Sequence, residues 1–344
     1  HQFDTDDREK FIRLDKNELS FQFPEQILNE VKESIDSYLL QAYPSTIHVN
    51  TYLSNLLEHS DESQILAVPG ADYGLKLCFD GLVVEGDVVA FPEHTYAMNE
   101  VFSNIANASV KTISIENNLG LNINDVLDVI EQSKMIVLAN PNQPTAKIED
   151  MTVMENIISK AHDNDCWVII DEAYYPFSEY TLSGYVNKFD NLIVIRTLSK
   201  LYGLAGVRIG AVISQTKNIQ YLLKALPVYP VNSFAIACLK TCVKHKQYFL
   251  GLVSELKSQR KRLIEYYYSI GCVPFDSSTN FIMVESKDVF DVKKYSNYLK
   301  EKNILIRDGW RKKIFVDAFR ITVSNEENIS RLIELTNYYI NKNE

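Results

Sequence analysis

The densest concentration of reactive groups is the run Arg196-Thr-Leu-Ser-Lys-Leu-Tyr-Gly-Leu-Ala-Gly-Val-Arg-Ile-Gly210, in which Lys200 follows two hydroxyls and precedes an arginine by eight residues. A lysine amine held half-buried loses hydration, its pKa falls, and it becomes able to form a Schiff base with an aldehyde. Thr197, Ser199 and Arg208 suit a phosphate. Asp171 closes the apolar run Cys166-Trp-Val-Ile-Ile-Asp171, and a carboxylate at the end of a core strand needs a cation. A pyridinium nitrogen would supply one. Together these groups describe a pocket for a phosphorylated aldehyde with a basic ring nitrogen, which is what pyridoxal 5'-phosphate is. The competing readings are a surface lysine before a tight turn and an aspartate serving as a helix N-cap.

Four further segments carry candidate groups. Tyr174, three residues past Asp171, can place its phenol near the ring's O3' oxygen. The strand-like Met135-Ile-Val-Leu-Ala runs into Asn140-Pro-Asn-Gln-Pro-Thr-Ala146, readable equally as a proline-fixed loop. Ile65-Leu-Ala-Val-Pro leads into Gly70-Ala-Asp, where Gly70 would let backbone amides approach an anion at a helix's positive end. In Phe91-Pro-Glu-His-Thr-Tyr-Ala-Met98, Tyr96, with His94 in reserve, could stack on a flat heterocycle or simply pack.

The elements that must position these groups are short apolar runs alternating with longer amphipathic stretches. Strands are expected at 65–68, 87–91, 110–114, 135–139, 167–171, 192–196 and 208–213, with helices such as 153–163 between them. That alternation argues for a largely parallel sheet covered on both faces. From Ser233 the pattern changes to a long helical run, 234–268, and then the strand-like segments 280–284, 303–307 and 319–323. Two domains follow: 40–235, and a smaller α+β domain built from 1–39 with 236–344. The site is expected in a cleft between them.

In order and content these motifs resemble the fold-type I, class I/II pyridoxal-phosphate aminotransferases, nearest the histidinol-phosphate aminotransferase branch. The resemblance runs from about Arg13 to Val323, and its most specific part is Ser-Lys followed eight residues later by Arg, together with Asp-Glu-Ala-Tyr. It implies an aspartate-aminotransferase-like α/β large domain with a mostly parallel seven-stranded sheet, plus the smaller α+β domain. It implies pyridoxal 5'-phosphate on Lys200, with Asp171 at the ring nitrogen, Tyr174 at O3' and Tyr96 stacked on the ring. Gly70, Ala71, Asp72, Thr197, Ser199 and Arg208 would meet the phosphate. Tyr43, in Ala-Tyr-Pro, matches a tyrosine that reaches the neighbouring subunit's cofactor, so a homodimer with shared active sites is implied. Gln143 stands where relatives carry an asparagine that donates to O3', and Ala146 replaces a glycine.

Substrate choice is expected from the C-terminal strands. In the resembled family the equivalent of Arg320 binds a carboxylate, and in phosphate-using members it shares a phosphate with the equivalent of Arg307. A lone arginine on an edge strand is more commonly a surface group. Asn17 and Glu18 match a substrate-side motif whose usual proline is missing after Glu18, so histidinol phosphate is not implied by default. The expected reaction moves an amino group between an amino acid, with glutamate suggested by the family, and a small phosphorylated keto or amino substrate. A pyridoxal-phosphate decarboxylase of phosphorylated amino acids is the alternative. An effector-binding module of this fold would need a helix-turn-helix domain, and acyl-transferring relatives usually stack a histidine on the ring.

Composition agrees. The 344 residues are 46% hydrophobic and 23% charged, enough for a large core, and the net charge of −10 argues against a nucleic-acid surface. No apolar stretch approaches the roughly 20 residues of a membrane span, and the acidic opening 2–7 is unlike a signal peptide. A cytoplasmic protein is expected, with small molecules as its ligands. The five cysteines, Cys78, Cys166, Cys238, Cys242 and Cys272, read as reduced core thiols, and no metal set is completed.

Overall fold

The computed structural model describes residues 7–308, 315 and 317–343. His1 and most of the acidic opening lie outside them. Along the described residues the strands are β1 (Ile12–Leu14), β2 (Ile65–Val68), β3 (Val88–Pro92), β4 (Ser109–Ile113), β5 (Met135–Ala139), β6 (Trp167–Asp171), β7 (Leu192–Thr197), β8 (Gly210–Ile213), β9 (Val273–Pro274), β10 (Phe281–Glu285), β11 (Ile304–Ile306) and β12 (Ala318–Thr322). The α-helices are α1 (Glu25–Glu33), α2 (Ser37–Gln41), α3 (Val49–Leu57), α4 (Ala71–Leu82), α5 (Met98–Ile105), α6 (Ile123–Ile130), α7 (Met151–His162), α8 (Thr216–Leu222), α9 (Ser233–Lys244), α10 (Lys246–Ser269), α11 (Val292–Glu301) and α12 (Glu326–Asn343).

The chain divides into two compact units, Phe23–Phe249 and the described parts of His1–Gln22 with Leu250–Glu344. The boundaries therefore fall at 22/23 and 249/250. Segments 23–39 and 236–249, which the sequence reading assigned to the smaller domain, group with the larger unit because α1, α2 and α3 all pack on α9. The single helical run expected over 234–268 is two helices, broken at His245, whose φ of −106° and ψ of 22° leave the helical basin.

The larger unit is built on a seven-stranded sheet of order β2-β8-β7-β6-β5-β3-β4. Pairs among β4, β3, β5, β6 and β7 are parallel, whereas β8 runs antiparallel to both β7 and β2. Every residue of β2, β7 and β8 is buried. Successive strand side chains point to opposite faces, so both faces are covered. Leu75, Cys78 and Phe79 of α4 belong to the same core cluster as Ile169, Ile193, Ile195 and Val212 of the sheet. Helix starts are fixed by polar caps: the Asp150 carboxylate accepts from Thr152 N–H, and the Asn232 amide oxygen accepts from Ala235 N–H.

The smaller unit holds a three-stranded antiparallel sheet, β12-β10-β9, and the parallel pair β1-β11. An isolated antiparallel bridge joins Arg307, just past β11, to Arg320 in β12.

Candidate active site

Three neighbouring strands of the larger unit deliver the chemistry at their carboxyl ends, where ligands of open α/β sheets bind. Asp171 is the last residue of β6, Lys200 stands in the turn after β7, and the 140–146 loop follows β5. Asp171 is buried, and one carboxylate oxygen accepts the Ala173 N–H at 3.0 Å, an Asx-type turn and no helix cap. Burial pushes its carboxyl up to about 7; the negative charges of Asp72 and Glu172 add to the rise, while the Ala173 amide and the Lys200 ammonium oppose it. A cationic ring N–H in contact would relieve that cost, so Asp171 fits a pyridinium partner.

The Lys200 ammonium lies 5.7 Å from the centroid of the Tyr174 ring. The Tyr174 phenol donates to the Gln143 amide oxygen, so the glutamine that replaces the usual asparagine reaches the tyrosine expected at O3'. Ala146 takes a left-handed φ of 61°, the conformation a glycine would occupy without strain. Asn142 ties this loop to the Tyr96 loop: its amide N–H groups donate to His94 O (2.7 Å) and Thr145 Oγ1 (3.1 Å), and its oxygen accepts from Thr95 Oγ1 (2.9 Å). His94 thus contributes a backbone carbonyl to that tie.

Gly70 and Gly210 let the anion-binding corner close. Gly70 caps α4 at a φ of 86°, and a Cβ there would lie 2.6 Å from Arg208 Nη2, so the guanidinium sits directly over the helix N-terminus. A Cβ on Gly210 would meet Arg196 O at 2.6 Å and Ala71 N at 3.1 Å. Gly210 pairs with Thr197 on one side and Val68 on the other, which brings the Thr197 and Ser199 hydroxyls, 2.9 Å apart, to the same corner. Free backbone N–H groups, two hydroxyls and a guanidinium suit a phosphate dianion. Asp72 bridges Tyr96 and Arg208, accepting from the phenol at 2.8 Å and meeting the guanidinium at 3.4 Å. Both members of that ion pair are about half exposed, so it is weak and exchanges readily. Burial, with Asp72 adding, holds the Tyr96 phenol protonated. Arg208 itself adopts a left-handed φ of 58° just before β8, which therefore begins at Gly210 and not at 208.

Sequence reading missed the support behind Asp171. Arg196 and Glu172, each 2% exposed at the side chain, form an ion pair at 2.9 Å. The arginine also donates to Leu57 O and to the Thr181 and Ser183 hydroxyls, and lies 4.0 Å from the Tyr175 ring centroid. The signal was available: a charge at the end of each of two apolar runs demands a partner. Asn140 and Asn142 carried no spacing cue.

In the smaller unit, Arg307 and Arg320 exchange both backbone hydrogen bonds, at 3.0 and 2.8 Å. Directly opposed residues of an antiparallel pair share a face, so the two side chains leave the sheet side by side. The Arg320 guanidinium donates to Asp15 O at 2.7 Å and lies 5.2 Å from the Phe281 ring centroid. Asn17 is buried at a left-handed φ of 56°; its N–H donates to Thr322 Oγ1 at 2.9 Å and its carbonyl accepts from Asn280. The N-terminal motif and the Arg320 strand are thus brought together. Glu18 is engaged by Arg8 and Arg13. Tyr43, in the larger unit, is 79% exposed and stacks on Tyr229 with centroids 4.5 Å apart. All five cysteines are buried and free. No helix among the described residues is long and apolar enough to cross a membrane.

Comparison with known proteins gives the family and the fold. The family Aminotransferase class I and II matches residues 9–335. A histidinol-phosphate aminotransferase of Thermoanaerobacter sp. (strain X514) is 32% identical over 324 residues, 92% of this chain and 89% of that protein. The histidinol-phosphate aminotransferase structure from Clostridium acetobutylicum superposes with a TM-score of 0.85 at 21% identity, covering 96% of this chain and 99% of the other. That from Sinorhizobium meliloti, solved in complex with pyridoxal-5'-phosphate, gives 0.84 at 19% identity over 97% and 92% of the two chains. The fold is therefore that of the aspartate-aminotransferase-like enzymes. This chain belongs to the class I and II aminotransferases, and it is a pyridoxal-phosphate-dependent aminotransferase.

Proposed function

We propose that the enzyme moves an amino group between an amino acid, with glutamate as donor, and a small phosphorylated amine or carbonyl compound. The observation that carries this reading is the Arg307–Arg320 bridge, which sets two guanidinium-bearing residues on one face. Two forked cations side by side match the charge of a phosphate or of a carboxylate in turn. The names of the similar proteins point the same way.

When bound, pyridoxal 5'-phosphate supplies an aldehyde for covalent capture of an amine and a ring that withdraws electrons from the adjoining carbon. Lys200 would hold the coenzyme through its amine and, when that amine is free, would carry the α proton. Asp171 would pair with the ring nitrogen and keep its charge in place. Tyr174 and Gln143 would hold O3', and Tyr96 would support the ring. Gly70, Ala71, Asp72, Thr197, Ser199 and Arg208 hold the phosphate. Asn17, Arg307 and Arg320 seat the anionic ends of the substrate.

A homodimer belongs to the same proposal. Tyr38, Leu40, Tyr43, Ile47 and Val228 are each more than 70% exposed. Four of them lie between positions 38 and 47, and Tyr43 stacks on Tyr229 beside Val228, so exposed apolar side chains are grouped as at a protein interface. A second copy, with Tyr43 completing the neighbour's phosphate site, is the occupant that the family resemblance suggests, and the same resemblance suggests a cytoplasmic enzyme.

The test is steady-state kinetics with glutamate and a panel of phosphorylated ketones, and with histidinol phosphate against 2-oxoglutarate. Arg307→Ala is expected to lower kcat/KM for the phosphorylated substrate about 100-fold or more while changing glutamate turnover less than about 3-fold. Turnover of unphosphorylated amino acids alone would contradict the reading. Release of carbon dioxide from a phosphoamino acid without a keto acceptor would replace it with decarboxylation.

A further inference from the structure

The loop that carries Gln143 is bolted at its neck by two side chains. Asn140, directly after β5 and buried, donates its backbone N–H to Asp171 O at 2.9 Å, and its amide oxygen accepts the Glu149 N–H at 2.9 Å. Its Nδ2 donates to the Tyr180 phenol oxygen at 2.8 Å, and that phenol donates in turn to Glu149 O. Residue 140 is thereby joined to both the N–H and the carbonyl of residue 149. Inside the neck, Asn142 N–H donates to Lys147 O at 2.8 Å and Asn142 O accepts the Ala146 N–H at 2.9 Å. Neck and turn form one hydrogen-bonded unit, with Gln143 in the turn.

Tyr180 is itself held in place. Ser178 Oγ donates to Tyr180 O at 2.9 Å, and the adjacent Thr181 hydroxyl donates to the buried Glu172 carboxylate at 2.8 Å. Burial pushes the Tyr180 phenol up to about 12, so it keeps its proton and donates at neutral pH. Gln143 needs such a frame. Its side chain has one more rotatable bond than an asparagine, so placing its amide costs more rotamer freedom. That amide's oxygen accepts from the Tyr174 phenol, and a loop free to shift would lose the contact.

We infer that Tyr180 is a positioning residue for the coenzyme's O3' oxygen: its hydroxyl closes the neck of the 140–149 loop and so fixes where the Gln143 amide meets the Tyr174 phenol. The inference rests on the placement of Gln143 and Tyr174 at O3'. Tyr180 acts through Asn140 and Glu149. Hydrogen bonds at O3' alter the proton affinity of the lysine–coenzyme link, so a loosened Gln143 is read in the pH at which the bound coenzyme changes colour.

The experiment is a pH titration of the visible absorbance of coenzyme-saturated wild type, Tyr180→Phe, Gln143→Leu and the double variant. Gln143→Leu is expected to move the midpoint. Tyr180→Phe should move it in the same direction by at least about twofold in the proton-binding constant. The double variant should match Gln143→Leu within about 1.5-fold, because two residues acting through one contact are not additive. Hydrogen exchange of the coenzyme-free proteins gives a second reading: in Tyr180→Phe the Ala146 and Glu149 amides should exchange about 5-fold faster or more while those of β6 keep their rates. A wild-type midpoint in Tyr180→Phe beside a moved midpoint in Gln143→Leu would overturn the inference and leave the O3' placement standing. Shifts that add in full, or unchanged exchange at 146 and 149, would overturn it too. A wild-type midpoint in Gln143→Leu would instead overturn the O3' placement, and the inference with it.

Discussion

Asp171 is unfavourably buried until a cation meets it, and Asp171→Asn therefore acts in opposite directions without and with coenzyme. A rise of its carboxyl from 3.8 to about 7 corresponds to about 4 kcal/mol, at roughly 1.4 kcal/mol per pH unit. Because the folded protein holds this proton more tightly than the unfolded chain does, the associated stability is complete below about pH 4 and is lost as pH rises to about pH 7. Coenzyme-free wild type and variant should therefore unfold alike in acid. The variant should become the more stable by up to about 4 kcal/mol at pH 8, a ceiling that local relaxation and water lower. The assay is urea unfolding of both proteins, freed of coenzyme, across that range. Adding coenzyme reverses the order: pairing with the ring nitrogen returns the same energy to the wild type, so the variant should bind coenzyme as much as 1,000-fold more weakly, about 4 kcal/mol. A variant no more stable than wild type at pH 8, or one with undiminished coenzyme affinity, would refute the reasoning.

Two further perturbations test the framework around it. Gly70→Ala should cost about 1–3 kcal/mol for a side chain at a φ of 86°, and should displace the Arg208 guanidinium. Weaker coenzyme binding by fluorescence titration together with a lower melting temperature is expected, and an unchanged coenzyme affinity would contradict the placement of the phosphate. Arg196→Ala strands the Glu172 carboxylate in the core and should destabilise by about 3–5 kcal/mol, measurable by urea unfolding, whereas Arg196→Ala with Glu172→Gln should recover part of that loss.

The sheet was legible because five-residue apolar runs ending in turn residues, such as Met135–Ala139, have few other ways to be buried. The reversed direction of β8 was not: an apolar run buried on both faces, such as Gly210–Ile213, reads the same either way. The division at 249/250 was not legible because it falls inside α10 and follows from the packing of α1, α2 and α3 on α9, and the helix break at His245 involves neither proline nor glycine. Lys200, Asp171 and Arg208 stood out because a charge beside a glycine-rich turn or at the end of a core strand is expensive unless it has a task. Asn142 and the Arg196–Glu172 pair depend on contacts between distant loops and strands, which spacing along one segment does not encode. The Arg307–Arg320 register is of the same kind: each arginine was visible alone, and only strand pairing sets them side by side.

Covalent attachment at Lys200 is the most direct measurement. Borohydride reduction of the coenzyme-saturated enzyme, followed by proteolysis and mass spectrometry, should place the coenzyme mass on the peptide containing Lys200 and on no other, and Lys200→Ala should carry none. Coenzyme mass on a different lysine, or its absence from that peptide at full saturation, would contradict the account.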